Sequence, residues 1–326
     1  MTAPLLQIDN LAKAFPVSSG FLFQRQVAEL KAVDGVSLSL GPGETLGLVG
    51  ESGCGKSTTG KLVMGLLEPS SGKIRFEGRD VFDTQETDLR EYRRSVQMVF
   101  QDPYSSLNPR KTVAEIVAQP LEIIGGRGRK DTRGRVLELL DMVGLDPNHA
   151  NRYPHQFSGG QRQRIGIARA LAVEPRLIVL DEPVSALDLS VQAQIINLLM
   201  RLQRDLGVSY LFISHDLTVV EYLSHRVAVM YLGRIVETAE ADALFRNPQH
   251  PYTEALLSAV LSGEEQRDEV LLEGEIPSPM NVPQGCRFHT RCPYAQARCR
   301  SEPPAFRNVA PAHAAACHFP LGGGGT

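Results

Sequence analysis

The stretch that most constrains this chain is Gly50 to Thr58, Gly-Glu-Ser-Gly-Cys-Gly-Lys-Ser-Thr, set directly after the apolar run Thr45-Leu46-Gly47-Leu48-Val49. The run reads as a short buried strand, and Ser57, Thr58 and the residues behind them read as the opening of a helix. Strand, glycine-rich turn and helix start together have the form of a phosphate-binding loop. Gly50, Gly53 and Gly55 allow backbone angles that a side chain forbids, so the amides around Glu51, Ser52 and Cys54 can turn inward on phosphate oxygens. The positive end of the helix adds to that field. Lys56 is placed to reach the β- and γ-phosphates, and the Ser57 hydroxyl to ligate the magnesium ion that a nucleotide carries. The expected ligand is ATP or GTP.

Such a loop belongs in an α/β sheet, and the chain supplies the other parts of one. Leu177-Ile178-Val179-Leu180 is apolar on both faces, as a central parallel strand is, and Tyr210-Leu211-Phe212-Ile213 is a second such run. Val191 to Leu206 has helical spacing between them. Leu5 to Ile8, Val33, Val36 to Leu40, Ile74 to Glu77 and Val96 to Phe100 read as further strands, and Thr59 to Leu67 as a helix. A more helical region runs from Val113 to about Leu171, broken by the basic, glycine-rich Gly125 to Lys130. Alternation of strand and helix predicts a parallel sheet covered on both faces. Pro16 to Lys31 reads either as an inserted loop with an apolar tip at Phe21-Leu22-Phe23 or as a hairpin packing those rings on its own sheet. Phe15, just before it, suits either stacking on a nucleotide base or a place in the core.

Two carboxylates, Asp181 and Glu182, follow the central strand, at the sheet end where α/β folds bind ligands. Phosphoryl transfer from Mg-ATP needs one carboxylate on the metal side and a group that orients and deprotonates the attacking water. Asp181 suits the first role and Glu182 the second. Ser158-Gly159-Gly160-Gln161 forms a second anion-type helix start, more than a hundred residues after the first. Two such starts in one chain suggest that each serves a different part of a nucleotide.

The 326 residues suffice for one large α/β domain and an appendage, and a formal charge of −3 sets up no basic field for nucleic acid. No window approaches the roughly 18 apolar residues of a membrane helix, and Met1-Thr2-Ala3-Pro4 does not read as a secretory leader. A cytosolic protein is expected. Of five cysteines, Cys54 lies in the glycine-rich loop and Cys286, Cys292, Cys299 and Cys317 crowd the end. In a reducing cytosol these four read as a metal site or as free thiols, with His289, His313 and His318 as spare ligands. From about Gly263 the chain turns proline-rich, a small module at 263–326 after a main domain at 1–262, with too little apolar composition to fold unstapled.

The phosphate loop, Gln101, Ser158-Gly159-Gly160-Gln161, Asp181-Glu182, Ser185-Ala186-Leu187-Asp188 and His215 stand in the order found in ATP-binding-cassette ATPases, which residues 5–260 resemble. Phe157 replaces the leucine that usually opens the signature loop. The resemblance implies a P-loop NTPase domain with a helical signature subdomain at about 102–172, which hydrolyses ATP as a two-cassette sandwich. It implies that Ser158, Gly159, Gly160 and Gln161 act on a partner's ATP, and that Asp188 signals across the dimer. His215 is implied to contact the γ-phosphate and to hold the attacking water and Glu182 in place, Gln101 to sense magnesium beside Ser57 and Asp181, and Phe15 to stack on adenine. Phe100 to Pro109, the insertion at 20–31, His250-Pro251-Tyr252-Thr253 and the tail from Pro283 resemble dipeptide and oligopeptide importer ATPases, specifically the second of two paired subunits. Nickel and glutathione importers share much of this pattern. The implied partners are a sibling ATPase, two transmembrane permeases and an extracytoplasmic solute-binding protein, at the cytoplasmic face of the cell membrane. The implied cofactors are ATP, Mg2+ and, in the tail, a structural [4Fe-4S] cluster ahead of Zn2+. A soluble cassette ATPase acting on nucleic acid or ribosomes is the reading from another class, and neither a second cassette nor a basic arm is present to support it.

Overall fold

The structure, a computed structural model, describes residues 3–19, 25–83, 85, 88–126, 132–261 and 274–322. Its first elements are β1 (Leu6–Ser19), β2 (Arg25–Leu40), β3 (Thr45–Val49), α1 (Lys56–Val63), β4 (Ser71–Phe76) and β5 (Arg79–Asp80). Then come α2 (Leu89–Ser95), β6 (Val96–Val99), α3 (Val113–Ile123), α4 (Arg133–Met142), α5 (Gly159–Leu171), β7 (Leu177–Asp181), α6 (Leu189–Leu206) and β8 (Ser209–Ser214). The last are α7 (Leu217–Leu223), β9 (Arg226–Tyr231), β10 (Arg234–Glu240), α8 (Ala241–Arg246), α9 (Pro251–Leu261), α10 (Ala297–Ser301), β11 (Arg307–Ala310) and β12 (His313–Ala315).

The strands form a four-stranded sheet, β2-β1-β4-β5, and an eight-stranded sheet, β11-β12-β10-β9-β3-β8-β7-β6. In the larger sheet β9, β3, β8, β7 and β6 run parallel. Side-chain alternation splits these strands between two cores. Val49, Ile178, Leu180, Tyr210 and Phe212 face the side packed by α3 to α9. Leu46, Leu48, Leu177, Val179, Leu211 and Ile213 face the side packed by α1 and the smaller sheet. Apolar residues at every position are thus what a strand buried on both faces requires.

Pro16 to Lys31 is not a loop over its described part: β1 and β2 pair antiparallel out to Ser19 and Arg25. Four register shifts interrupt the ladder, which blurs the period-two pattern that would have marked the strands in the sequence. The tip at Phe21-Leu22-Phe23 lies outside the described residues, as do Arg127 to Lys130 and the junction near 262 and 263.

The proline-rich tail is built onto the main sheet. β12 pairs antiparallel with β10, placing Ala315 opposite Glu237. Glu237 is fully buried and accepts hydrogen bonds from the amides of Gln249 (2.6 Å) and His250 (3.0 Å), while His313 Nε2 of β12 lies 2.6 Å from its carboxylate. Phe288 is buried in the larger core, its ring centroid 5.4 Å from both Tyr231 and Tyr252. Among the described residues no helix is long and apolar enough to cross a membrane.

Candidate active site

The loop between β3 and α1 bends where only glycine fits. Gly50 has φ 150°, and a Cβ there would stand 2.1 Å from the carbonyl oxygen of Met230. Gly55 has φ 113°, and its Cβ would stand 2.2 Å from the carbonyl oxygen of Ala32 on β2. Glycine at both is a steric requirement of the packed loop. Lys56 is 5% exposed, and its ammonium donates to the carbonyls of Gly50 (2.7 Å) and Glu51 (3.0 Å), so the loop wraps its own cation. α1 opens from Gly55 without a side-chain cap. Cys54 is buried in the same turn, and burial pushes its thiol up from the ordinary range.

The remaining groups arrive from the carboxyl ends of neighbouring parallel strands, the edge at which such sheets assemble sites. Ser57 Oγ donates to Asp181 Oδ1 at 2.9 Å, joining the start of α1 to the end of β7. Burial pushes the Asp181 carboxyl up, the Ser57 hydrogen bond opposes this, and the neighbouring Glu182 charge adds to the rise. Oxygen donors held where desolvation penalises the bare charge are a fitting set for a hard cation such as magnesium.

Glu182 has φ 47°, a left-handed conformation that costs a non-glycine residue about 1–3 kcal/mol. Its amide continues the ladder by donating to the Ile213 carbonyl of β8 at 2.9 Å. Its side chain is held from both sides: Gln101 Nε2, after β6, donates to Oε2 at 2.8 Å, and His215 Nδ1, after β8, lies 3.1 Å from Oε1. The Gln101 amide therefore bonds to Glu182 rather than to the Ser57–Asp181 pair with which it was grouped from the sequence.

Ser158 and Gln161 form a capping box at the start of α5, the Gln161 amide donating to Ser158 Oγ (3.4 Å) and the Ser158 amide to Gln161 Oε1 (3.0 Å). Gly160 abuts α6 so closely that a Cβ would stand 2.3 Å from Val191 Cγ1. Asp188 caps α6 by accepting from the Val191 amide, and that bond, with one from Ser190, holds its carboxyl below the usual range. These hydrogen bonds run within the helix starts and not to the phosphate loop. Phe15 is half-buried on β1, opposite Leu30, with the Lys13 ammonium 5.4 Å from its ring centroid.

Cys286, Cys292, Cys299 and Cys317 line one small cavity of about 20 Å³ with His289 and His318. Burial raises the thiols of Cys286, Cys292 and Cys317, the last two to about 11, so these are protonated at neutral pH. Among the described residues no three His, Cys, Asp or Glu side chains are grouped closely enough to hold a metal ion. The expected iron–sulfur or zinc centre therefore draws no support from the side-chain geometry, although the four residues do converge.

The sequence marked Tyr252 only as part of the His250-Pro251-Tyr252-Thr253 stretch and did not single out Arg291, yet both hold the phosphate loop, from α9 and the tail. Glu51 donates its amide to Tyr252 Oη at 2.8 Å, and its carboxylate is paired with Arg291. No spacing rule connects residues 240 positions apart; Cys292, His289 and the tail from Pro283 marked that turn, but not its contact with the loop.

Comparison with known proteins places these features in context. Residues 33–185 match the family described as ABC transporter, and residues 236–299 the one described as Oligopeptide/dipeptide transporter, C-terminal region. The oligopeptide transport ATP-binding protein AppF of Bacillus subtilis strain 168 is 53% identical over 320 residues, covering 97% of each chain. OppF of Salmonella typhimurium LT2, with the same description, is 52% identical over 92% of each. Among solved structures, a dimeric post-hydrolysis state of the ATP-binding cassette MJ0796 bound to ADP and Pi is 30% identical with a TM-score of 0.62, over 72% of this chain and 98% of that one. Clostridium perfringens cbiO1, part of the ABC transporter complex cbiONQ, is 25% identical with a TM-score of 0.63, over 80% and 95%.

Proposed function

The chain belongs to the ATP-binding-cassette transporter family as an ATP-hydrolysing member, and from that premise we propose that it powers the import of di- and oligopeptides. The observation that carries this reading is the extent of the likeness. Identity of 53% to an oligopeptide transport ATP-binding protein runs over 97% of both chains, and so includes the tail beyond the cassette.

In this reading Gly50 to Thr58 cradle the phosphates of ATP, and Lys56 exchanges loop carbonyls for phosphate oxygens. Ser57 and Asp181 would hold magnesium, which supplies charge neutralisation at the phosphates when bound. Glu182 accepts the proton of the attacking water. Gln101 and His215, bonded to its two oxygens, fix its orientation. Left-handed backbone at Glu182 fits a residue whose aim matters more than its local stability. Ser158, Gly159, Gly160 and Gln161 would act on the nucleotide of a second ATPase, favoured as a sibling, with Asp188 beside them signalling between the two. Phe15 would stack on adenine. The four tail cysteines would supply a thiolate set for an iron–sulfur cluster or zinc, and for either their side chains would have to draw closer together than they stand.

The partners in this scheme are two permeases and a solute-binding protein, which puts the chain at the cytoplasmic membrane face. Mass spectrometry of the affinity-isolated complex from gently solubilised membranes tests this. The expected result is two multi-span permeases, a sibling ATPase and a peptide-binding protein. Recovery of ribosomal or DNA-repair proteins alone would overturn the transport reading and leave the ATPase chemistry standing.

A further inference from the structure

Glu51, the second residue of the phosphate loop, has each of its polar groups held by a different part of the molecule. Its amide donates to Tyr252 Oη of α9 at 2.8 Å, and its carbonyl accepts from Lys56 Nζ at 3.0 Å. Its carboxylate takes a two-pronged grip from the tail, Arg291 Nη1 to Oε2 at 2.7 Å and Nη2 to Oε1 at 2.9 Å. Paired forks of this kind fix direction as well as distance, and they are stronger than neutral hydrogen bonds.

The guanidinium is itself firmly seated. Arg291 has a side chain only 6% exposed, and its amide donates to the carbonyl of Phe288, whose ring is packed between Tyr231 and Tyr252. In the same turn Arg287 bonds to the Asp34 carboxylate on β2 and to the Leu232 carbonyl between β9 and β10. The tail turn is therefore anchored at three places around the loop, and its contact with the loop itself is one ion pair.

We propose that Arg291 is a positioning residue for the nucleotide site: from the tail it holds Glu51, and through it the phosphate loop, in the conformation that accepts ATP. Two physical effects act together. The fork keeps the first turn of the loop in register with Lys56. It also neutralises a carboxylate that would otherwise stand unpaired beside incoming phosphates, where like charge repels. The tail is thus part of the ATP site even though it supplies no phosphate ligand. This rests on the loop being the nucleotide site, as read above.

The test is Mg-ATP affinity of the full-length chain by calorimetry, with ATPase KM and kcat measured alongside, for Arg291→Met, Arg291→Lys, Glu51→Gln and the double variant Arg291→Met/Glu51→Gln. Arg291→Met is expected to raise Kd and KM about tenfold, the size of a lost charge-assisted bond, with a much smaller change in kcat. Arg291→Lys should recover part of the loss, since it keeps the charge but not the fork. The double variant should bind more tightly than Arg291→Met alone, because it removes the orphaned carboxylate. Unchanged affinity in a folded Arg291→Met protein, or strictly additive effects in the double, would overturn the proposal. If Arg291→Met fails to fold, Glu51→Gln alone probes the same pair from the loop side, and unchanged affinity there overturns it equally. Failure of the wild-type chain to bind Mg-ATP would instead overturn the nucleotide reading itself.

Discussion

α1 begins at Gly55, whose left-handed backbone carries no side-chain cap, whereas α5 begins at Ser158, which is capped reciprocally by Gln161. The first start is enclosed, with Lys56 buried and the glycines pressed against Met230 and Ala32; the second has Ser158 and Gln161 exposed. A helix start without its own cap leaves amides and dipole directed at a ligand, and it depends on its surroundings for shape. A self-capped start is stable alone, so a nucleotide reaching Ser158 must compete with, or share, bonds already made. One site is built to be filled within the chain, and the other is complete without a ligand and faces outward, as a surface offered to a partner is.

The largest expected effect bears on the enclosed site. Glu182→Gln should lower turnover by about 10²–10⁴-fold while leaving ATP binding near normal, because it removes a proton acceptor and preserves the bonding geometry. Steady-state ATPase and nucleotide affinity measured together check this, and near-normal turnover would remove Glu182 from the role of base. Lys56→Ala should weaken ATP binding about a hundredfold, the upper end for contacts to a charged group. Equal loss of binding from Ser158→Ala in the isolated chain would break the contrast between the two helix starts. Ser158→Ala should instead lower stability by about 1 kcal/mol, as loss of an N-cap does, and reduce turnover only when cassettes pair. Denaturant titration and ATPase as a function of protein concentration separate those outcomes.

The smallest effects concern pH, and they have opposite signs at the two places. Asp181, behind α1, has its carboxyl raised by burial, so the folded state holds the proton longer than the unfolded chain does. Its contribution therefore falls as pH rises from the ordinary carboxylate value through the raised one. Asp188, beside the α5 start, is lowered by its capping bonds, so its contribution is present above the ordinary value and lost as pH falls through the lowered one. Stability-against-pH curves should accordingly shift in opposite directions for Asp181→Asn and Asp188→Asn relative to the parent protein. A shift of the same sign in both would show that the two carboxylates do not differ in this way.

Much of the enclosed site was legible because its chemistry depends on local spacing. A strand, three glycines, Lys56 and Ser57 specify a loop within one turn of chain, and the buried strand before Asp181 specifies its place at a sheet edge. The α/β class followed from runs apolar on both faces, which the two cores around β3, β7 and β8 explain. The long β1–β2 hairpin was harder to read, because its register shifts break the alternation by which strands are recognised. The four cysteines read as a metal site or as free thiols; all four line one cavity, but among the described residues no three side chains group closely enough for a metal ion, and their spacing could not say how near one another the sulfurs would come.

By itself the sequence determined the α/β class and the candidates for binding phosphate, carrying magnesium and accepting a proton, since those candidacies belong to residue types at short, fixed separations. Tertiary structure alone decided what holds them. The resemblance implied that His215 holds Glu182, but that Gln101 takes the carboxylate's other oxygen was not foreseen, and the convergence exists only because β6, β7 and β8 lie side by side. Glu51 meets Arg291 because β12 joins β10, the rings of Tyr231, Tyr252 and Phe288 pack together, and the tail turn is thereby carried to the phosphate loop. Burial and sheet order act between residues far apart in the chain, and no local pattern encodes a distance of that kind.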